Sequence, residues 1–264
     1  MIHNLIYVYC LANSPPELDA STESRELKSF KYDGFYVVVK LVSEDEYDEE
    51  NFKRNLSNIH WVETNARTHI SVINSIMEHQ TVIPFKFGTI FQTEERIQKF
   101  LLEYSDSLHE NFKYIHAKEE WSVKVYCDRK ALCSQIDELS EETAALETQI
   151  MASAPGKAFL LKRKKTEMIE NEMDRLCKEY GQTYYEHFNS LSEANSLINM
   201  LPKEFTGRQD TMILNATFLV RKNKVAELLN AIEVMKGNDE QSSFFIEASG
   251  PWPPFSFISI KEKY

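Results

Sequence analysis

The sequence predicts an α+β fold in two domains, the second of them ferredoxin-like, a split βαβ arrangement with an enlarged helical crossover. Three observations carry that expectation. Short apolar runs rich in Val and aromatics recur in both halves, and the clearest, Trp121 to Cys127 (WSVKVYC), alternates without a break. Between them lie longer segments with apolar residues at helical spacing. In the second half the order reads strand, helix, strand, strand, helix, strand, which is the split βαβ order. The expected domains are residues 1–117 and residues 118–264, the second ending in a Pro/aromatic segment.

From the start of the sequence, Leu5 to Leu11 and Phe35 to Val42 read as strands, the second buried on both faces. The stretch between them, with Pro15-Pro16 and many Ser and Glu, reads as a loop. The acidic run Ser43 to Glu50 opens a helical segment, because carboxylates suit the positive end of a helix dipole, and Asn51 to Asn58 continues it. Trp61 to Met77 sets Trp61, Val62, Ala66, His69, Ile70, Ile73, Ile76 and Met77 on one helical face. Val82-Ile83-Pro84 is extended, and Glu94 to Phe112 is one further helix with Thr93 as its cap.

After the strand at 121–127, Leu132, Ile136, Leu139, Thr143, Leu146 and Ile150 follow the 3.5-residue period of a coiled-coil seam. Ser153-Ala154-Pro155-Gly156 breaks that run, and a second helix extends from about Lys157 to about His187. The two form an antiparallel helical hairpin, which reads either as packed on itself or as a grip on a partner helix. Ser192 to Met200 and Thr211 to Val220 read as strands. Lys224 to Met235 is an amphipathic helix stopped at Lys236-Gly237-Asn238, and Ser243 to Ala248 is the last strand.

The net charge of −11 argues against nucleic acid as a partner, because binding phosphates needs a basic footprint. The basic cluster Lys162-Arg163-Lys164-Lys165 reads as the solvated face of its helix. No secretory signal is read at residues 1–9, and no run reaches the ~18 apolar residues of a membrane span, so an intracellular, cytoplasmic protein without a lipid-membrane partner is expected. The four cysteines, Cys10, Cys127, Cys133 and Cys177, form no CxxC pair and are expected to be reduced.

Signatures of catalysis are missing. The histidines have no HxxxH or HxH spacing, His109-Glu110 lacks the second histidine of a zinc protease helix, and neither GxGxxG nor GxSxG occurs. Gly156-Lys157 resembles the end of a phosphate loop, but Met151 stands where the first glycine belongs. The expectation is therefore no enzyme, no catalytic residue, no metal and no cofactor. His69, on the apolar face of its helix, reads either as a special group or as a core histidine hydrogen-bonded to a neighbour.

Two stiff apolar segments stand out instead. In the first, VIPFKFGTIF at 82–91, Pro84 and Gly88 bracket Phe85 and Phe87 around Lys86. The second is Gly250-Pro251-Trp252-Pro253-Pro254-Phe255-Ser256-Phe257, where each proline fixes its own φ and biases the residue before it toward extended backbone. These segments read either as internal packing or as a surface that captures another apolar protein, since aromatics supply much of interface hot-spot energy.

The combination of VIPFKFGTIF, WSVKVY at 121–126, LNATFLV at 214–220 and GPWPPFSF resembles the gas vesicle GvpL/GvpF family, and LIYVYC and the helix bearing Trp61 and His69 are similar too. The resemblance implies an accessory or minor structural protein needed to build gas vesicles. It also implies two α+β domains, a location at the vesicle, and the small hydrophobic shell protein as partner, with other accessory vesicle proteins beside it. The site expected for that partner comprises Phe85, Lys86, Phe87, Trp252, Phe255 and Phe257. Pro84, Gly88, Gly250, Pro251, Pro253 and Pro254 would shape it. The alternative from another class is a small-molecule-sensing regulatory module, which rests on fold-level analogy for ferredoxin-like domains.

Overall fold

The computed structural model describes residues 4–18, 26–238 and 243–260. The chain packs as two units, one holding residues up to Glu120 together with the segment from Pro251, the other Trp121–Gly250. The boundary expected at 117/118 assigns GPWPPFSF to the second domain. The packing instead assigns the described residues from Pro251 to Ile260 to the first unit, because Phe255 and Ile258 pack against that unit's two cores.

In the first unit, β1 (Asn4–Ala12), β2 (Leu27–Tyr32), β3 (Phe35–Ser43) and β4 (Val82–Pro84) lie in the order β2-β3-β1-β4. The short β5 (Ile90–Phe91) also pairs with β1, and all these pairs are antiparallel. Every residue of β1 after Asn4 is buried, as a central strand covered on both faces requires. A bulge between Val8 and Cys10 reverses its alternation. Leu5, Tyr7 and Tyr9 face one core, and so do Cys10 and Ala12 beyond the bulge, while Ile6, Val8 and Leu11 face the other.

Strand β2 emerges from the stretch expected to be a loop, of which residues 19–25 lie outside the described residues. Its signal is Asp33-Gly34, both at positive φ (48° and 85°), a two-residue hairpin turn. Lys28 and Lys31 suit β2 to a sheet edge.

The acidic run forms two short helices, α1 (Glu44–Tyr47) and α2 (Glu49–Asn55), because the Asp48 carboxylate caps α2 by accepting from the Asn51 N–H at 2.7 Å. Asn58 caps α3 (Ile59–Met77), which covers one sheet face with Val72, Ile73 and Ile76. The other face is covered by α4 (Glu94–Glu103), capped by Thr93 as expected, and α5 (Ser105–Ile115). The single helix expected over 94–112 is therefore divided, with Tyr104 at φ −105°, ψ 11° between the halves.

In the second unit the sheet order is β7-β8-β6-β9, from β6 (Lys118–Cys127), β7 (Ala194–Leu197), β8 (Thr211–Arg221) and β9 (Phe244–Trp252). Between β6 and β7 run α6 (Arg129–Leu139), α7 (Glu141–Met151) and α8 (Pro155–Ser190), with α6 and α7 both packed along α8. The seam expected to be continuous is interrupted at Ser140, whose hydroxyl caps α7 by accepting from the Thr143 N–H at 3.3 Å. Pro155 opens α8 from its first turn, where its missing N–H costs nothing. Tyr184 and Phe188 of α8 pack on Val123, Val125, Leu214 and Phe218 of the sheet. At Gly181 the backbones meet: an added Cβ would lie 2.9 Å from the Ile213 carbonyl oxygen. Beyond the short α9 (Lys203–Thr206), α10 (Val225–Asn238) buries Leu228 and Ile232, and it continues through the Gly237 expected to stop it.

Candidate functional site

The VIPFKFG segment lies against β1 at its bulge. The Phe85 N–H donates to the Tyr9 carbonyl and the Val8 N–H to the Thr89 carbonyl, both at 2.9 Å. Between these anchors the chain turns, with the Thr89 N–H and hydroxyl both donating to the Lys86 carbonyl at 3.1 and 2.7 Å. Gly88 sits at φ +81°, and an added Cβ would run into the ring of Phe52, so both backbone and space demand glycine there.

His69 joins this turn to α3. Its Nε2 is 2.9 Å from the Phe85 carbonyl oxygen and its Nδ1 is 2.9 Å from the Tyr7 hydroxyl. A carbonyl only accepts, so Nε2 carries the proton and Nδ1 accepts from Tyr7. The Tyr7 oxygen in turn accepts the Gly88 N–H at 3.1 Å. Gly88, Tyr7, His69 and Phe85 thus form one directed chain of hydrogen bonds. It satisfies a histidine that is only 1% exposed. Burial pushes the imidazole below its ordinary pKa, and the bond to Phe85 offsets part of that. Burial also pushes the Tyr7 and Tyr47 hydroxyls up. Of the two readings of His69, this is the hydrogen-bonded core histidine.

Rings enclose the chain. Tyr9 stacks on His69 at 5.5 Å between centroids, and Phe255 stacks on it at 6.4 Å. Phe87 meets Tyr7, Phe52, Trp61 and His69 within 6.3 Å. Trp61 is fixed in turn by its indole N–H, which donates to Glu46 at 2.6 Å.

The segment from Pro251 is pinned onto the same unit by side chains far away in sequence. Ser256 donates its N–H and its hydroxyl to the two carboxylate oxygens of Glu120, at 3.0 and 2.7 Å. Asn111 holds Ser259 from both sides, its Oδ1 accepting the N–H at 3.1 Å and its Nδ2 donating to the carbonyl at 2.9 Å. Glu120 is buried, and that burial raises its pKa although both Ser256 bonds favour the charged form. Such a carboxyl, far inside and occupied by its own chain, is a structural clasp.

The expected site residues divide. Phe85 is buried in the core beside α4, its ring 5.7 Å from Phe100, whereas Phe87 packs in the core beside α3, so the pair points to opposite sides. Lys86 between them is exposed. Pro84, Pro253 and Pro254 are buried, Gly88, Phe255 and Phe257 half-buried, and Gly250 and Pro251 exposed. Trp252 remains 39% exposed. It forms one wall of a shallow groove of about 630 Å³ along α3, lined by Ala66, Ile70, Asn74 and Glu78, with Arg67 and Ser71 at its side.

The sequence reading missed Glu120, Asn111 and Tyr7, whose roles depend on partners 136, 148 and 62 residues away. It also missed exposed apolar groups in the second unit, Met151, Phe159 and Leu160 around the α7–α8 turn and Phe205 in α9. Among the described residues no group of three or more His, Cys, Asp or Glu could hold a metal ion, and no helix is long and apolar enough to cross a membrane.

Known gas vesicle proteins share the fold of this chain. The crystal structure of the gas vesicle protein GvpF from Anabaena sp. PCC7120 superposes with a TM-score of 0.72, covering 99% of this chain and 98% of that one at 18% identity. GvpF from Microcystis aeruginosa gives 0.67, covering 97% and 99% at 17% identity. At such identities the likeness is one of fold. By sequence, the chain is 24% identical over 230 residues to gas vesicle protein L of a Streptomyces species, covering 86% of this chain and 80% of the relative. It is 22% identical to gas vesicle protein L of Haloferax mediterranei, over 67% of this chain and 55% of that one. The sequence pattern of one family, described as gas vesicle synthesis protein GvpL/GvpF, matches residues 5–259, which is nearly the whole chain. With the stiff aromatic segments and the fold both in place, the chain belongs to the GvpL/GvpF family of gas vesicle synthesis proteins.

Proposed function

We propose that this protein serves gas vesicle assembly by binding the small hydrophobic shell protein, without catalysing a reaction, and that it works at the vesicle inside the cell. The observation that carries this reading is the exposure of Trp252 just ahead of a clasped segment. A large apolar ring stays open beside the α3 groove while the residues after it are clasped by Glu120 and Asn111. A ring presented on an already ordered segment loses little entropy when a partner covers it. The prolines on either side restrict the backbone further.

In this reading Trp252 and Lys86 touch the partner, while Phe85, Phe87, Phe255 and Phe257 support the surface from behind. Pro84, Gly88, Gly250, Pro251, Pro253 and Pro254 set its backbone. The net charge of −11 keeps a complex with an aggregation-prone subunit in solution. We read the second unit as ferredoxin-like, a reading supported by the strand order β7-β8-β6-β9, with α6, α7 and the first part of α8 as the enlarged crossover. Co-sedimentation of the purified chain with shell protein tests the function: the chain should pellet with it, and a chain that stays in the supernatant at every ratio would remove the proposal.

One observation favours the small-molecule alternative. A cavity of about 750 Å³ opens between α6, α7 and α8, lined by Leu132, Ile136, Thr143, Ile169 and Arg175. A metabolite that raises the thermal midpoint of a chain indifferent to shell protein would favour that reading.

A further inference from the structure

The turn between α7 and α8 presents an apolar and basic surface in a chain whose net charge is −11. Met151, the last residue of α7, is 81% exposed, and Phe159 and Leu160 near the start of α8 are 68% and 65% exposed. Residues 151–166 hold five basic side chains, Lys157, Lys162, Arg163, Lys164 and Lys165, and no acidic one. Lys165 turns back to Glu147 of α7 at 2.9 Å, while among the described residues the other four have no ion-pair partner. Helical spacing sets the face. Leu161, Lys165 and Ile169 lie four apart on the packed side, where Ile169 enters a core and Lys165 reaches α7. Phe159, Leu160, Arg163 and Lys164 lie on the opposite side, all exposed. Large apolar groups left open and rimmed by charges of one sign mark an interaction surface.

The first unit carries a counterpart of opposite sign. Six carboxylates lie between Glu44 and Glu50 in α1 and α2, against Lys53 and Arg54. Asp48 is occupied by its cap, Glu46 by the Trp61 indole and Glu49 by Lys53, which leaves Glu44, Asp45 and Glu50 facing solvent. Where α2 leads into α3, Leu56 and Ile59 are 46% and 72% exposed. Both surfaces are open in a single chain, so neither is covered by its own molecule.

We propose that the α7–α8 tip docks onto the α1–α2 surface of a second copy of this chain, joining copies head to tail. Arg163 and Lys164 meet the open carboxylates, while Phe159 and Leu160 cover Leu56 and Ile59. Each side thereby takes apolar area out of water and sets its charges against opposite ones. A tip-to-tip contact would crowd cations together, and a contact between two α1–α2 surfaces would crowd carboxylates, so the charges select the head-to-tail pairing. Because the two partners contribute different patches, the contact propagates into a ring or an open string instead of closing as a two-fold dimer. Exposed charges are screened by salt, so the association is strongest at low ionic strength.

Sedimentation equilibrium of the purified full-length chain tests this, over a concentration series at low and at high salt. At low salt the average mass should rise with concentration beyond that of a dimer, and at high salt it should fall back toward one chain. Arg163→Glu with Lys164→Glu should weaken the association by about tenfold or more, and so should Glu44→Lys with Glu50→Lys. An equimolar mixture of these two variants should associate again, since each then offers the other a complementary surface. Should the α1–α2 variant fail to fold, the tip variant and the salt series decide. A wild type that stays single at low salt, or an association that neither reversal weakens, would overturn the proposal. So would a tip variant that loses only its binding to shell protein, or to anionic phospholipid vesicles, because the tip would then belong to that partner.

Discussion

His69 donates its Nε2 proton to the carbonyl oxygen of Phe85 at 2.9 Å, and this bond ties the middle of α3 to the turn that crosses the β1 bulge. The bond fixes the tautomer, which makes Nδ1 the acceptor for Tyr7 and leaves the Tyr7 oxygen free to receive the Gly88 N–H. One imidazole therefore organises the backbone of a loop and the rings stacked around it.

Removing that imidazole should be costly. His69→Ala leaves the Tyr7 O–H without its acceptor and the Phe85 carbonyl without the imidazole donor in a dry core, and we expect a loss of about 2–5 kcal/mol. Urea unfolding of the variant measures it, and a loss under roughly 1 kcal/mol would mean water replaces the ring without penalty.

The same group sets an acid limit. Folding depresses the His69 pKa, so the unfolded chain binds the proton first, and stability falls as the pH drops below about 6.5. Glu120 acts in the opposite sense: its pKa is raised by folding, so its contribution fades as pH climbs from about 4.5 through the folded value. Stability curves across this range should lose the first limb in a folded His69→Gln variant and the second in Glu120→Gln.

Gly88→Ala combines a left-handed backbone with a clash against Phe52. The expected cost is roughly 1–3 kcal/mol, with Trp61 fluorescence altered because its ring packs on both Phe52 and Phe87. A variant as stable as the parent would show that the turn can take another conformation.

Much of this was legible in the sequence, and the reasons for the misses are physical. The strand at 121–127 and the strand at 211–220 were visible because one-face or two-face burial writes itself into the period of apolar residues. The breaks at Asp48, Tyr104 and Ser140 were not, since each is decided by a single capping or turning residue inside an otherwise helical pattern. The stiffness of GPWPPFSF was readable from its prolines, but its destination was not. The Glu120 and Asn111 clasps depend on side chains that only the fold brings near Ser256 and Ser259. Likewise the PFKF alternation was plain, yet which core each phenylalanine enters followed from β1, whose bulge no local pattern announced.

The clasp itself can be loosened. Asn111→Ala removes both hydrogen bonds to Ser259 and should expose the segment after Pro251 to limited proteolysis several-fold faster, with the two sheets still folded. Unchanged cleavage would mean that Glu120 and the stacking of Phe255 suffice.

The most direct measurement is the affinity of the full chain for shell protein, compared between the wild type and Trp252→Ala. Loss of this half-open ring should leave the thermal midpoint nearly unchanged and weaken binding at least tenfold, about 1.4 kcal/mol. Equal affinities for the two proteins, with both folded, would contradict the role given to the open face of this segment.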